Sequence, residues 1–166
     1  MKTLILVRHA KSDWGNPGLD DAERPLNDRG KKDAPVMAQR LKDKKINIDA
    51  FIASPAKRAA KTAKIFAEVF GKKKEDIVFN EKLYLAEPAT FLSVITNTDN
   101  AFETIAIFSH NYGITDFANK LTEVRIDNIP TCGVLAVKAD CKSWADFNEA
   151  KKEFWFFDYP KAGVQD

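Results

Sequence analysis

Histidine, cysteine and methionine each occur only twice in the 166-residue chain, and glycine and proline seven times each. Each scarcity removes a class of protein. So few glycines and prolines exclude a collagenous chain or a low-complexity linker. Cys132 and Cys141 lack C-x-x-C spacing, and with two histidines elsewhere in the chain they form no pattern for a structural zinc site. The longest apolar runs, such as Leu4–Val7 and Phe154–Phe157, fall far short of the roughly 20 residues a membrane-spanning helix needs. Neither sign of charge dominates. The 26 basic and 24 acidic side chains leave a formal balance of +2, which does not suit a domain built around nucleic-acid phosphates. The Lys72–Lys74 run reads as a solvated helix exit after Gly71. Met1 and Lys2 lead straight into an apolar strand without a long hydrophobic leader, so a cytoplasmic protein is expected, with no membrane or nucleic-acid partner and no metal or cofactor.

What is present is an ordinary globular mixture, 45% apolar and 30% charged, in a length that suits one domain over residues 1–166. Such a chain can bury roughly 70% of the surface it exposes unfolded. Thr3–Val7, Asp49–Ala53, Ile77–Phe79, Thr104–Phe108, Gly133–Val137 and Glu153–Phe157 read as short apolar strands. Between them lie helical patterns. Asn27 is placed to cap a helix to about Lys45, with Met37 and Leu41 inward. Pro35 either kinks it or sets its regular start near Asp33. Ser54-Pro55 predicts a capped helix over Pro55–Phe70, with Ala59, Ala63, Phe66 and Phe70 on one face. Further helices are expected over Pro88–Asn97 and Asn111–Leu121, and a short helical or looped piece over Trp144–Ala150. Strands alternating with helices predict an α/β fold: a three-layer α/β/α domain with a mostly parallel sheet, whose last strand is free to run antiparallel at an edge. Ligands of such sheets bind beyond the carboxyl ends of the strands. The polar stretch Arg8–Arg24, longer than most connectors, begins at such an end and reads as a functional loop.

Both histidines stand directly after predicted strands, His9 after the first and His110 after the fourth. Arg8 adjoins His9, and Arg58 lies in the first turn of the helix after the second strand, where a cation opposes the helix macrodipole. Two guanidiniums and two imidazoles at one end of a sheet suggest an anion.

Leu6-Val7-Arg8-His9-Ala10, Ser54-Pro55 followed by Arg58 and Thr62-Ala63, and Ser109-His110-Asn111 together resemble the histidine phosphatase, or phosphoglycerate mutase-like, superfamily. Small size, Arg8–Trp14 and Arg24–Gly30 are most similar to its compact SixA-type phosphohistidine phosphatases. The resemblance implies a phosphoglycerate mutase-like fold and metal-independent phosphoryl transfer. His9 would be the nucleophile that carries the phosphoryl group, and Arg8, Arg58 and His110 would bind its oxygens. Asn111 would contact substrate, orient His110 or cap the following helix.

The resemblance also implies a proton donor between the second motif and the final histidine, and Glu87 is the positional match. Its place before Pro88 favours the carboxylate, the wrong direction for an acid. Asp13, Asp20 and Asp21 in the first loop are the other candidates. An imidazole leaves phosphohistidine with a conjugate-acid pKa of roughly 6.5, more readily than an alkoxide leaves an ester. A poorly placed acid and a compact chain therefore favour phosphohistidine in a protein as substrate. Small phosphate esters are the alternative, and a non-catalytic phosphate-recognition module a third reading. Trp14 is read as packed against the domain, or else as a contact for a protein partner. Tyr112 stands where the superfamily often has a small residue or proline. Lys11 and Lys57 flank the motifs and are read as solvated.

Overall fold

A computed structural model describes residues 1–162. Its six strands are β1 (Lys2–Arg8), β2 (Ala50–Ala53), β3 (Ile77–Phe79), β4 (Thr104–Ser109), β5 (Val134–Ala139) and β6 (Lys152–Asp158), in the sheet order β3-β2-β4-β1-β5-β6. β1, β2, β3 and β4 run parallel. β6 lies at the edge as expected but runs in the same direction as β1–β4, not against them. The strand that opposes the rest is β5, which pairs antiparallel with both β1 and β6.

Alternate side chains on the central strands enter opposite cores, which is why those strands read as continuous apolar runs. Leu4 and Leu6 of β1, with Ile105 and Ile107 of β4, join a core closed by α3 (Pro88–Thr96), α4 (Gly113–Leu121) and the 3₁₀ turn at Trp144–Asp146. Ile5, Val7 and Phe108 face the other way, under α1 (Asp28–Asp43) and α2 (Lys57–Val69). The layers are helix, sheet, helix. Among the described residues no helix is long and apolar enough to cross a membrane.

Three helix starts bear on the site. Asn27 caps α1 as expected, its side chain accepting from the Gly30 amide at 2.8 Å, and α1 runs on through Pro35 rather than starting near Asp33. α2 begins at Lys57, two residues later than Ser54-Pro55 predicted, with Ala56 at the cap position and no side-chain cap. Ser54 is engaged elsewhere. α4 begins at Gly113 with Tyr112 before it, so Asn111 lies outside the helix rather than capping it.

Candidate active site

The parallel register brings the carboxyl ends of β1, β2 and β4 level. Arg8 pairs with Ser109 and Ala53 with Phe108, while the His9 amide donates to the Ser109 carbonyl at 3.1 Å and the Ser54 amide to the Phe108 carbonyl at 3.0 Å. His9, Ser54 and His110 therefore emerge side by side. The two imidazoles lie 5.3 Å apart between ring centroids. Around them opens a cleft of about 390 Å³ whose lining includes Arg8, His9, Arg58, His110 and Asn111.

Each ring is held by a defined contact. His9 Nδ1 lies 2.7 Å from the Ala10 carbonyl oxygen, which only accepts, so the ring proton sits on Nδ1 and Nε2 keeps its lone pair. The Ala10 amide in turn donates to Thr62 Oγ1 at 3.0 Å, and Thr62 donates to the Arg58 carbonyl at 2.7 Å, tying the exit of β1 to the first turns of α2. Burial lowers the His9 pKa to about 3, with Arg58, Arg8 and Arg24 acting in the same direction against the Ala10 hydrogen bond. His110 is likewise brought down to about 3, by burial first and then by His9 and Arg58. Both rings are neutral at pH 7. His110 Nε2 lies 2.8 Å from Ser54 Oγ, the group the sequence had suggested as a helix cap.

Arg8 donates through one terminal nitrogen to the Ile129 carbonyl at 2.9 Å. Arg58, 3% exposed, donates to the Asp21 backbone carbonyl at 2.7 Å and to its Oδ2 at 2.9 Å. Three buried polar atoms among the described residues lack a hydrogen-bond partner: Arg8 Nε, Arg58 Nε and His110 Nδ1. All three belong to residues lining the cleft. The two guanidinium nitrogens are donors, and an unpaired buried donor costs roughly 1–3 kcal/mol, so the pair calls for an acceptor, and a tetrahedral oxyanion offers several.

The first loop builds the opposite wall. Lys11 and Asp13 pair with the Pro25–Asn27 segment through backbone bonds of 2.8 and 3.0 Å, so the loop doubles back instead of hanging free. Arg24 ties it, donating to Ser12 Oγ at 2.7 Å and reaching Asp21 Oδ1 with Nε at 3.2 Å and with a terminal nitrogen at 3.0 Å. Tyr84 donates to Asp21 Oδ2. Burial works to raise the Asp21 carboxyl, but the Tyr84 hydroxyl and the Arg58 and Arg24 guanidiniums outweigh it and hold the group well below the usual carboxylate range. Asp21 is thus an anionic clamp on Arg58, and neither it nor Arg24 was singled out for this role from the sequence. Asp21 meets Arg58 37 residues away and Tyr84 63 residues away, and no local pattern marks those two pairings.

The other acidic candidates fall outside. Glu87 is exposed at the start of α3, makes no capping bond and does not line the cleft. Asp13 spends Oδ1 on the Gly15 amide at 2.7 Å, and Asp20 precedes the 3₁₀ turn Asp21–Glu23. Neither lines the cleft. Asn111 lies at its edge, donating to Asn128 and accepting from Thr115 rather than bonding to His110. Trp14 is not packed into the domain. It is 74% exposed, with the Arg24 guanidinium 3.5 Å from its ring centroid, and Tyr112 is 75% exposed across the mouth. Lys11 also lines the cleft, whereas Lys57 pairs with Glu23 at 2.9 Å. No group of three or more histidine, cysteine or acidic side chains among the described residues is arranged to hold a metal ion.

Comparison with known proteins agrees with this geometry. Residues 4–84 match the family profile described as "Histidine phosphatase superfamily (branch 1)". An uncharacterized chloroplastic protein of Arabidopsis thaliana is 29% identical over 153 residues, covering 87% of this chain and 70% of that one. Phosphoserine phosphatase 1 of Hydrogenobacter thermophilus is 45% identical over 73 residues, covering 41% of this chain and 32% of that protein, so the match spans about a third of its length. A solved structure of the protein histidine phosphatase SixA complexed with tungstate superposes with a TM-score of 0.81 at 17% identity, covering 95% of this chain and 97% of that one. At that identity the likeness speaks for the fold. The profile match covers residues 4–84, just under half of the chain, and over that stretch the chain is similar to the histidine phosphatase superfamily.

Proposed function

We propose that the protein is a metal-independent phosphatase that works through a phosphohistidine on His9 and acts on phosphohistidine in a protein. The observation that carries this reading is the tautomer of His9. The Ala10 carbonyl fixes the proton on Nδ1, and a neutral ring then presents Nε2 as a nucleophile. Nε2 attacks phosphorus as the bond to the leaving group breaks. Water then attacks the same phosphorus, the P–Nε2 bond breaks, and phosphate leaves with the Nε2 lone pair restored. Arg8, Arg58 and His110 supply donors to the phosphoryl oxygens, preorganised and partly desolvated, which is the main catalytic contribution such chemistry asks of a protein. Asn111 borders the same cleft and completes the substrate-binding set.

Two features favour phosphohistidine as the substrate. The carboxylate that lines the cleft, Asp21, is held anionic by its partners and so is a poor acid, which matters least when the leaving group is an imidazole. The mouth is bordered by the exposed Trp14, Leu85 and Tyr112, a rim suited to a macromolecular surface. A small phosphate ester is the second reading, favoured by the likeness to a phosphoserine phosphatase.

Incubation with phosphorylated substrate in the presence of a chelator should label His9, with the acid lability and base stability of a phosphoramidate. Turnover should vanish in His9→Ala. Label at another residue, or parental activity in that variant, overturns the assignment. A side-by-side assay of a phosphohistidine protein against sugar, glycerate and serine phosphates decides between the two substrate classes.

A further inference from the structure

A second concavity of about 610 Å³ lies between the Pro25–Leu26 segment, the N-terminal half of α2 and Phe79 at the end of β3. Its apolar floor includes Leu26, Pro55, Ala60 and Phe79, the last 43% exposed. Lys31, Lys57, Lys61 and Lys64 stand around it. Lys57, Lys61 and Lys64 are spaced i, i+4, i+7 on α2 and so share one face of that helix. Of the three only Lys57 lies in the first turn of α2, which contains no acidic residue and where a cation opposes the helix dipole. Lys57 is paired with Glu23, while Lys31, Lys61 and Lys64 form no ion pair among the described residues. The two concavities share no lining residue, but neighbouring positions of the chain line or border each of them. Pro25, Pro55 and Lys57 of the groove are the immediate chain neighbours of Arg24, Ser54 and Arg58 at the cleft.

We infer that this groove docks an acidic segment of the phosphorylated protein, its apolar side chains on the Leu26–Phe79 floor and its carboxylates against Lys31, Lys61 and Lys64, while the phosphorylated residue enters the cleft. The inference rests on the proposed action on a protein substrate. Charge complementarity defines the occupant: an apolar floor inside a lysine rim favours a segment that alternates apolar and acidic residues. The floor offers one aromatic ring, Phe79, and no run of them for stacking bases, which sets a polynucleotide at a disadvantage.

The test uses the full chain and fluorescein-labelled peptides carrying a hydrolysis-resistant phosphohistidine analogue flanked either by Glu, Asp and Leu or by Lys and Leu. By anisotropy, the acidic peptide should bind about tenfold more tightly at ~50 mM salt, and the gap should close at ~500 mM as the charges are screened. Lys61→Glu/Lys64→Glu should abolish the preference, while turnover of phosphoramidate, too small to reach the groove, stays at the parental level. Equal binding of the two peptides, a preference unchanged by the double variant, or tighter binding of a single-stranded oligonucleotide than of the acidic peptide overturns the groove. Failure of the catalytic reading looks different: phosphoramidate is not turned over by the parent, while the peptide preference, which needs no chemistry, is still measured.

Discussion

At the scale of single residues, the site is governed by where protons are not. His9 and His110 each have a folded pKa near 3 against an ordinary value of 6.5, so folding favours their neutral forms. The sign follows from linkage. Above pH 6.5 both states are neutral and the contribution is constant; as pH falls below 6.5 the unfolded chain takes up protons that the folded rings refuse, and stability declines until pH approaches 3. Between pH 7 and 5 the decline should be on the order of 2 kcal/mol for each ring. Denaturant titrations at these two pH values check it: the parent should lose stability over that interval and His9→Asn/His110→Asn should lose markedly less. The Asp21 carboxyl acts in a lower window. Its depressed pKa adds stability above the ordinary value of 3.8 that is lost as pH drops below it.

At the scale of elements, most of the architecture was legible and the exceptions have physical causes. Short apolar runs marked the strands, continuously so in β1, β2, β4 and β5 where both faces of the sheet are covered, but such a run reads the same in either direction, so the reversal of β5 left no trace in the sequence. Ser54-Pro55 has the composition of a helix start, yet the Ser54 hydroxyl lies against His110, a contact 56 residues away in the chain that no local pattern reveals. His9, Arg8, Arg58 and His110 could be placed together because each sits at a fixed step from a strand end or helix start. Glu87 was chosen by position alone, and exposed at the head of α3 it does not line the cleft. One junction is unusually tight: a Cβ on Gly113 would lie 1.7 Å from the Ala86 carbonyl oxygen. α4 therefore packs directly on the backbone that carries Leu85 to the rim of the cleft. Gly113→Ala should destabilise the fold by roughly 1–3 kcal/mol, because backbone rather than a flexible side chain must move. A lowered midpoint in thermal unfolding is the measurement, and an unchanged midpoint would show that the two segments separate freely.

At the scale of the whole molecule, the sheet order sets a gradient of protection. β4 and β1 are central, each hydrogen-bonded to strands on both sides and buried under helices, while β3 has three residues and an outer edge, with Val78 55% exposed. Native-state hydrogen exchange should find the slowest amides in β1 and β4, opening only with global unfolding, and faster exchange in β3 and along the outer edge of β6. Equal protection in β3 and β1 would mean that the sheet opens only as one unit. Arg8, His9 and His110 emerge from the ends of central strands β1 and β4, Arg58 shares α2 with the groove lysines, and Phe79 of the groove lies at the end of edge strand β3.

The reversal of β5 also determines how the cleft is walled. Strands β1, β2 and β4 leave the sheet at this end, whereas β5 enters there, so its approach segment contributes Thr131 to the lining and the Ile129 carbonyl that holds Arg8. Three walls are departures into helices or loops whose lengths are tied to the crossovers; the fourth is an arrival. Ile129 and Cys132 are buried, and the Cys132 amide donates to the Arg8 and His9 carbonyls, so this arrival is fixed at its inner end; only the exposed residues Glu123–Arg125 and Asp127–Asn128 could be lengthened or exchanged while every parallel crossover stays in register.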